Sequence, residues 1–204
     1  MTIRRHRGDL PVLPAYSGPV AVDTETMGLQ YRRDRLCVVQ LSAGDGSADV
    51  VQIAPGTPAA PNLVRLLTDP SVLKIFHFAR FDLGVLHQAF GVMPGPVYCT
   101  KIASKIARTY TDKHGLKDLA RELLGIDLSK QQQLSDWGAD DLTDAQVAYA
   151  ASDVLHLHAI KAKLDAMLAR EGRADLAAAC FRFLPDRVRL DLSGWEQEDI
   201  FAHS

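Results

Sequence analysis

The sequence predicts an α/β protein in which a mixed β-sheet is flanked by helices. Three β-prone runs rich in Val, Leu and Ile lie in the first third of the chain, at residues 20–24, 36–42 and 48–53, with glycine-bearing turns between them. Beyond residue 100 the apolar residues recur at helical spacing. Strands that come first, with helices interposed and then following, are typical of a sheet covered by helices.

Two further strands and five helices are predicted after these runs. Gly91 and Gly125 end two of the helices, because glycine readily adopts the left-handed conformation that closes a helix. The added strands cover residues 74–78 and 98–99, and the helices cover residues 62–67, 82–90, 101–108, 116–124 and 144–170. This order of elements suits a ribonuclease H-like α/β fold.

Length and composition indicate one domain, residues 1–204, of an ordinary globular protein. Apolar residues make up 47% of the chain and charged residues 24%, which argues against disorder and against a membrane span. The basic N-terminus has no apolar run after it, so no secretory signal is predicted and the cytoplasm is the expected compartment. Three scattered cysteines without CxxC spacing predict neither a disulfide framework nor a zinc site.

The net charge of −2 limits the kind of nucleic acid that the protein could bind. Proteins that hold long nucleic acids without sequence preference neutralise many phosphates with a surplus of basic residues, which is absent here. Contacts with nucleic acid would therefore be local and few, which favours short oligomers or chain ends.

Candidate catalytic residues begin with the triplet Asp23-Thr24-Glu25 at the end of the first apolar run. Side chains two apart on a strand share a face, so Asp23 and Glu25 point the same way while Thr24 faces the opposite side. Leu29, in the turn beyond, would lie near a base placed over the carboxylates. A D-x-E triplet alone is weak evidence, since solvated strand ends often carry one.

Two other acidic residues occur in apolar surroundings. Asp82 follows the KIFHF strand, where it could equally be a helix N-cap. Asp153 lies one helical turn from Tyr149, and an aspartate that faces a core needs a partner, either this tyrosine or a metal ion.

Together the four carboxylates predict a site for two divalent cations. Buried like charges repel one another unless cations hold them together, and hard cations such as Mg²⁺ prefer carboxylate oxygens. Paired cations stabilise the attacking and the leaving oxygens of a phosphoryl transfer, so the sequence predicts a metal-dependent nuclease.

Three segments resemble the DEDD superfamily of 3′–5′ exonucleases. VAVDTET, HFARFD and YAASD are similar to its three motifs, and the tyrosine four residues before the last aspartate is typical of its tyrosine subclass. SKQQQLSDW adds a resemblance to ribonuclease D, over roughly residues 20–168. The second motif of the family often has asparagine after the histidine, whereas here Phe78 follows His77.

The resemblance implies a set of roles. One Mg²⁺ or Mn²⁺ ion, held by Asp23, Glu25 and Asp153, would activate water, and a second, held by Asp23 and Asp82, would stabilise the departing 3′ oxygen. Tyr149 would orient the water. The implied substrate-binding residues are Thr24, Leu29, His77, Lys130 and Gln133. For His77, the alternative is a buried histidine with a satisfied hydrogen bond.

A narrower resemblance is to the nanoRNase C family of alphaproteobacteria, carried by DRLCVVQLSAGDGSADVVQIA and DLSGWEQEDIFAHS. That family implies degradation of short RNA, dinucleotides included, to nucleoside 5′-monophosphates by a homo-octameric ring. The apolar C-terminal tail, residues 181–204, would then lie at a subunit interface, although its residues alone favour packing within the chain. A 3′–5′ exonuclease acting on DNA ends and a non-catalytic RNA-binding member of the fold are the alternatives.

A basic helix face is predicted as well. Lys101, Lys105 and Arg108 recur at spacings of four and three, which places them on one side of a helix. Such a face is more often solvated than a track for phosphates.

Overall fold

A computed structural model describes residues 2–11, 16, 18–30, 32–56, 59–129 and 131–203. These residues form the predicted mixed sheet with helices on both faces. Six strands run in the order β1-β4-β3-β2-β5-β6. The strands are β1 (Thr2–Arg7), β2 (Val20–Thr26), β3 (Leu36–Ser42), β4 (Ser47–Gln52), β5 (Lys74–Phe76) and β6 (Val97–Cys99).

Seven α-helices and two short π-type turns are present in the described part of the chain. The π-type turns, Ala120–Leu124 and Asp191–Trp195, directly continue the helices before them. The helices are α1 (Pro61–Thr68), α2 (Ala79–Phe90), α3 (Thr100–Ala107), α4 (Leu116–Leu119), α5 (Asp144–Leu155), α6 (Leu157–Arg170) and α7 (Ala174–Leu190). None of the helices in the described ranges is long and apolar enough to cross a membrane.

The strand β2 is central and changes the direction of the sheet. It pairs antiparallel with β3 on one side and parallel with β5 on the other. The residues of β2 alternate between the two faces, so that Val20 and Val22 pack with α1, α2 and α7, while Ala21 packs with α3, α5 and α6. Side chains at the carboxyl end of β2 therefore reach both helical layers.

The sequence placed several boundaries wrongly. The sequence analysis did not predict β1, because the polar run TIRRHR lacks apolar alternation. In the structure β1 is an edge strand that pairs parallel with β4. Side chains of this strand also bind β4, since Arg4 and His6 each contact Asp49 at 2.8 Å. The predicted helix 144–170 is two helices that meet at His156, whose φ of −105° and ψ of −5° interrupt the regular backbone. No glycine or proline marks that break in the sequence.

The start of α2 also differs from the prediction. The strand β5 ends at Phe76 and the helix begins at Ala79, with Phe78 at the N-cap position. Asp82 therefore lies inside the first turn, and the interpretation of Asp82 as an N-cap is wrong.

The C-terminal tail packs only partly within the chain. Leu184 and Val188 are buried in the core beside α2, whereas Trp195 and Phe201 are 43% and 76% exposed. A buried carboxylate fixes the start of this tail: Asp191, whose side chain is fully buried, binds Arg80 at 2.6 Å and Arg187 at 2.7 Å.

Replacing Asp191 by alanine is expected to lower the free energy of unfolding by about 3 kcal/mol, because two arginines would lose their buried partner. Asp186→Ala is the matched control: Asp186 binds Arg189 at 2.7 Å in an exposed pair, and its loss should change stability by less than about 1 kcal/mol. Urea denaturation of both variants measures the difference, and equal midpoints would contradict the role given to Asp191.

Candidate active site

Three of the four predicted carboxylates meet at the carboxyl end of β2. Asp23 and Glu25 face the layer that contains α5, and Asp153 on α5 lies opposite them. One carboxylate oxygen from each of the three residues lies within 4.8 Å of the other two. The period-two spacing on the strand and the helical position of Asp153 thus bring distant segments to one point.

Asp82 reaches the same end of β2 from the other helical layer. Its carboxylate accepts a hydrogen bond of 2.7 Å from the hydroxyl of Thr24, which faces away from Asp23 and Glu25 as predicted. Asp82 is outside the group of three, yet its charge raises the pKa of Asp23. The charge of Asp82 also adds to the effect of burial on the pKa of Glu25, so the fourth carboxylate is electrostatically coupled to this group.

Gln40 is a site residue that the sequence analysis missed. It lies on β3 directly across from Asp23, is fully buried, and its amide nitrogen donates a hydrogen bond of 2.6 Å to Asp23. The only signal in the sequence is a polar residue in the apolar run LCVVQLS, and its meaning depends on the register between β2 and β3.

The helix α5 holds Tyr149 and Asp153 in place. Its first turn is closed by a capping box, in which Thr143 and Gln146 exchange hydrogen bonds between side chain and backbone. Tyr149 and Asp153 are four positions apart on this helix, so their side chains lie on one face, and the phenol partly offsets the burial that raises the pKa of Asp153. Burial and the negative charge of Asp153 raise the pKa of Tyr149, so the phenol stays protonated at neutral pH.

Burial raises the pKa of every carboxyl in the site. For Glu25 the pKa rises to about 9, with the charges of Asp153 and Asp82 adding to the effect of burial. For Asp82 and Asp153 it rises to about 7, and for Asp23 burial is again the largest cause, followed by the charge of Asp82. Without a cation these groups resist simultaneous ionisation.

The donor set fits divalent metal ions. Oxygen ligands from three carboxylates that converge within 4.8 Å suit hard cations such as Mg²⁺. No arginine or lysine forms an ion pair with Asp23, Glu25, Asp82 or Asp153 in the described part of the chain. A divalent cation held by Asp23, Glu25 and Asp153 would supply the positive charge.

Asp23, Glu25 and Asp153 line a cleft of about 530 Å³. Of the predicted substrate-binding residues, Thr24, Leu29, His77 and Gln133 line this cleft, while Lys130 lies outside the described residues. Leu29 is 81% exposed. The cleft thus gathers residues from six separate segments around the acidic group.

His77 lines the cleft, as a substrate-binding residue would, and it also has the satisfied hydrogen bond of the alternative interpretation. Its Nδ1 lies 2.9 Å from the hydroxyl of Thr100, which itself donates to the carbonyl of Phe76 at 3.1 Å. Because the hydroxyl proton is used for that carbonyl, the imidazole donates from Nδ1. Burial and the nearby Lys101 lower the pKa of His77 to about 3, so the ring at the cleft wall is neutral.

The predicted basic helix face is not one surface. Lys105 is exposed, but Lys101 lines the cleft with its ammonium 4.2 Å from the ring centroid of Phe78. Arg108 is fully buried and binds Glu122 and the hydroxyl of Ser104. The prediction is wrong for Arg108, because spacing alone does not show that the acidic partner lies on the following segment.

The raised carboxyl pKa values predict that the stability of the metal-free protein falls as pH rises. Between pH of about 4 and the folded-state pKa values of about 7 to 9, the folded protein keeps protons that the unfolded chain has released. Added Mg²⁺ should remove most of this loss, because it binds the ionised carboxylates.

Thermal unfolding at pH 5.5 and pH 9, with EDTA or with Mg²⁺, measures this effect. The difference in Tm between the two additives should be small at pH 5.5 and several degrees at pH 9. The Glu25→Gln variant, which cannot ionise, should show a smaller difference. A Tm difference independent of pH would argue against the site.

Comparisons with known proteins agree with this geometry. A family model described as 3′-5′ exonuclease matches residues 11–169. The ribonuclease D of Gluconacetobacter diazotrophicus is 40% identical over 167 residues, which are 82% of this chain and 42% of that protein. The chain therefore spans about two fifths of the length of that relative.

Solved structures that cover the whole chain are similar as well. NrnC of Brucella melitensis bound to pGG is 62% identical, with a TM-score of 0.96, and NrnC with bound Mg²⁺ is 61% identical, with a TM-score of 0.95; each covers 100% of both chains. The predicted resemblance to ribonuclease D-like proteins and the predicted fold are confirmed. The chain belongs to the 3′-5′ exonuclease family, in its ribonuclease D-like branch.

Proposed function

We propose that the protein is a metal-dependent 3′–5′ exoribonuclease that degrades short oligoribonucleotides, dinucleotides included, to nucleoside 5′-monophosphates. The observation that carries the proposal is the convergence of Asp23, Glu25 and Asp153 within 4.8 Å at a cleft that has room for a small ligand. The match to NrnC bound to pGG and to Mg²⁺ over the full chain supports it.

The proposed cofactor is a pair of divalent cations, Mg²⁺ or Mn²⁺. Asp23, Glu25 and Asp153 would hold one ion, and Asp23 and Asp82 the other. When bound, such ions activate a water molecule and offset the charge that develops on the scissile phosphate and on the departing 3′ oxygen.

The other residues of the site orient these ligands and the substrate. Gln40 fixes the carboxylate of Asp23, and Thr24 fixes that of Asp82. Tyr149, protonated and one helical turn from Asp153, would orient the attacking water by hydrogen bonding rather than act as a strong base. Lys101 and Lys117 bring positive charge to the cleft wall, where phosphates would lie.

A preference for short substrates follows from size and charge. The cleft of about 530 Å³ lies in the range of small-ligand sites, and the net charge of −2 leaves no surplus of basic residues to neutralise the phosphates of a long nucleic acid. Hydrolysis of DNA ends by the same carboxylates is the competing activity. A non-catalytic role is disfavoured because all four acidic residues and Tyr149 are present.

A homo-oligomer is part of the proposal. Phe183, Trp195, Ile200 and Phe201 are exposed on the C-terminal tail, and a second copy of the chain would cover them. The resemblance to nanoRNase C indicates an octameric ring. The cytoplasm stays the predicted compartment.

The direct test of activity uses 5′-labelled RNAs of two to ten nucleotides, with and without Mg²⁺. We expect mononucleotide release that depends on Mg²⁺ and is fastest for the shortest RNAs. A matched set of 2′-deoxy oligonucleotides separates the DNA alternative, since faster hydrolysis of that set would favour it.

Two substitutions test the assigned roles. Asp153→Asn should lower kcat by at least about 10³-fold and Tyr149→Phe by about 10²-fold, because the first removes a metal ligand and the second an orienting hydrogen bond. The exposed Asp127, which binds Arg121 at 2.7 Å, provides the control Asp127→Asn with unchanged kcat. Full turnover by the Asp153→Asn protein would refute the metal-ligand assignment.

The oligomer has its own test. Light scattering should give a mass near 178 kDa for an octamer, eight times the 22.3 kDa of one chain. A mass of 22.3 kDa would contradict assembly through the tail.

A further inference from the structure

Phe78 has a backbone conformation that is unfavourable for its residue type. Its φ of 69° and ψ of 44° place it in the left-handed region, and in the described part of the chain every other residue with positive φ is a glycine. Residues with a Cβ atom rarely adopt this conformation, and asparagine and glycine tolerate it best. Some other interaction must therefore explain why a phenylalanine occupies this position.

The position itself is set by the route of the chain. Phe78 is the N-cap of α2, between the end of β5 and the helical turn that carries Asp82. The left-handed residue turns the chain so that Asp82 reaches Thr24 at 2.7 Å. This need explains the backbone conformation but not the aromatic side chain, because asparagine would make the same turn with less strain.

Packing within the chain does not explain the ring either. Phe78 is 44% exposed, and it belongs to neither of the two core clusters, whereas its neighbours Phe76 and Ala79 are fully buried. Burial of apolar surface is the usual compensation for a strained aromatic residue. Here a large part of the ring surface remains open.

The open surface of the ring faces the catalytic cleft. Phe78 lines the cleft together with the carboxylates, and the ammonium of Lys101 lies 4.2 Å from its ring centroid. A cation at this distance sits over one face of the ring and restrains its orientation. Because Phe78 is 44% exposed and lines the cleft, a ligand in the cleft can reach the ring.

We propose that Phe78 is a specificity-determining residue whose ring stacks on a nucleobase of the substrate, with Lys101 holding the ring in the stacking orientation. Every base has a π-face, so this contact would be tolerant of base sequence while requiring a nucleotide rather than a bare phosphodiester. The inference rests on the proposed function, and it assigns Phe78 as the residue that contacts a nucleobase on the α2 side of the cleft. Local strain at a binding site is then the consequence of placing an aromatic ring where the turn prefers asparagine.

The test exploits two effects of opposite sign. Phe78→Asn should raise Tm by about 2–4 °C, because it relieves the backbone, and should weaken dinucleotide binding about tenfold, because it removes the ring. Phe78→Tyr should bind as the wild type does. Phe78→Leu keeps an apolar side chain and the strained backbone, so it should bind weakly without gaining stability.

Binding is followed with RNA dinucleotides that carry 2-aminopurine in the first or the second position, with Ca²⁺ in place of Mg²⁺ to prevent hydrolysis. Stacking on Phe78 should quench the fluorescence at one position in the wild type and in Phe78→Tyr, and this quenching should be lost in Phe78→Asn. The KM of hydrolysis with Mg²⁺ should rise in Phe78→Asn while kcat changes little.

The outcomes separate this inference from the proposed function. If the wild type binds and hydrolyses the dinucleotide, and Phe78→Asn shows the same affinity and the same quenching, only the stacking role is overturned. A Phe78→Asn protein that loses both stability and binding would also overturn it, because the ring would then be structural. Wild-type protein that neither binds nor hydrolyses the dinucleotide would refute the proposed function and this inference with it.

Discussion

Electrostatic repulsion among buried carboxylates is the constraint on which the rest of the site depends. Asp23, Glu25 and Asp153 converge within 4.8 Å, and burial raises the pKa of each. Such a cluster is unfavourable in the folded protein unless cations neutralise it. Gln40 donates a hydrogen bond to Asp23, and Tyr149 lies on the same face of α5 as Asp153, but neither side chain supplies a positive charge.

The topology of the sheet explains how the cluster is assembled. Because β2 is central and its side chains alternate, Asp23 and Glu25 meet α5 on one face, while Thr24 meets Asp82 from α2 on the other. The strand β5, which pairs parallel with β2, is followed directly by α2, so Asp82 lies at the same end of the sheet. The site also lowers stability in a second way, through the left-handed Phe78.

Much of this arrangement could be predicted from the sequence, because it depends on short-range periodicity. The spacing of two between Asp23 and Glu25 and of four between Tyr149 and Asp153 fixes their common faces once the strand and the helix are recognised. Contacts set by strand register or by tertiary packing were not predictable. The bond from Gln40 depends on a pairing between strands, and the break at His156 has no local sequence signal. Helical spacing likewise grouped Lys101 with Arg108, although one lies at the cleft and the other is buried against Glu122.

The central claim is that the carboxylate cluster binds divalent cations, and a Mn²⁺ titration of the metal-free protein followed by electron paramagnetic resonance tests it most directly. Mn²⁺ binding should saturate at two ions per chain at pH 8, and its affinity should fall as the pH is lowered through 7 and the carboxyls become protonated. Absence of saturable Mn²⁺ binding, or binding that is unchanged between pH 8 and pH 5.5, would contradict it.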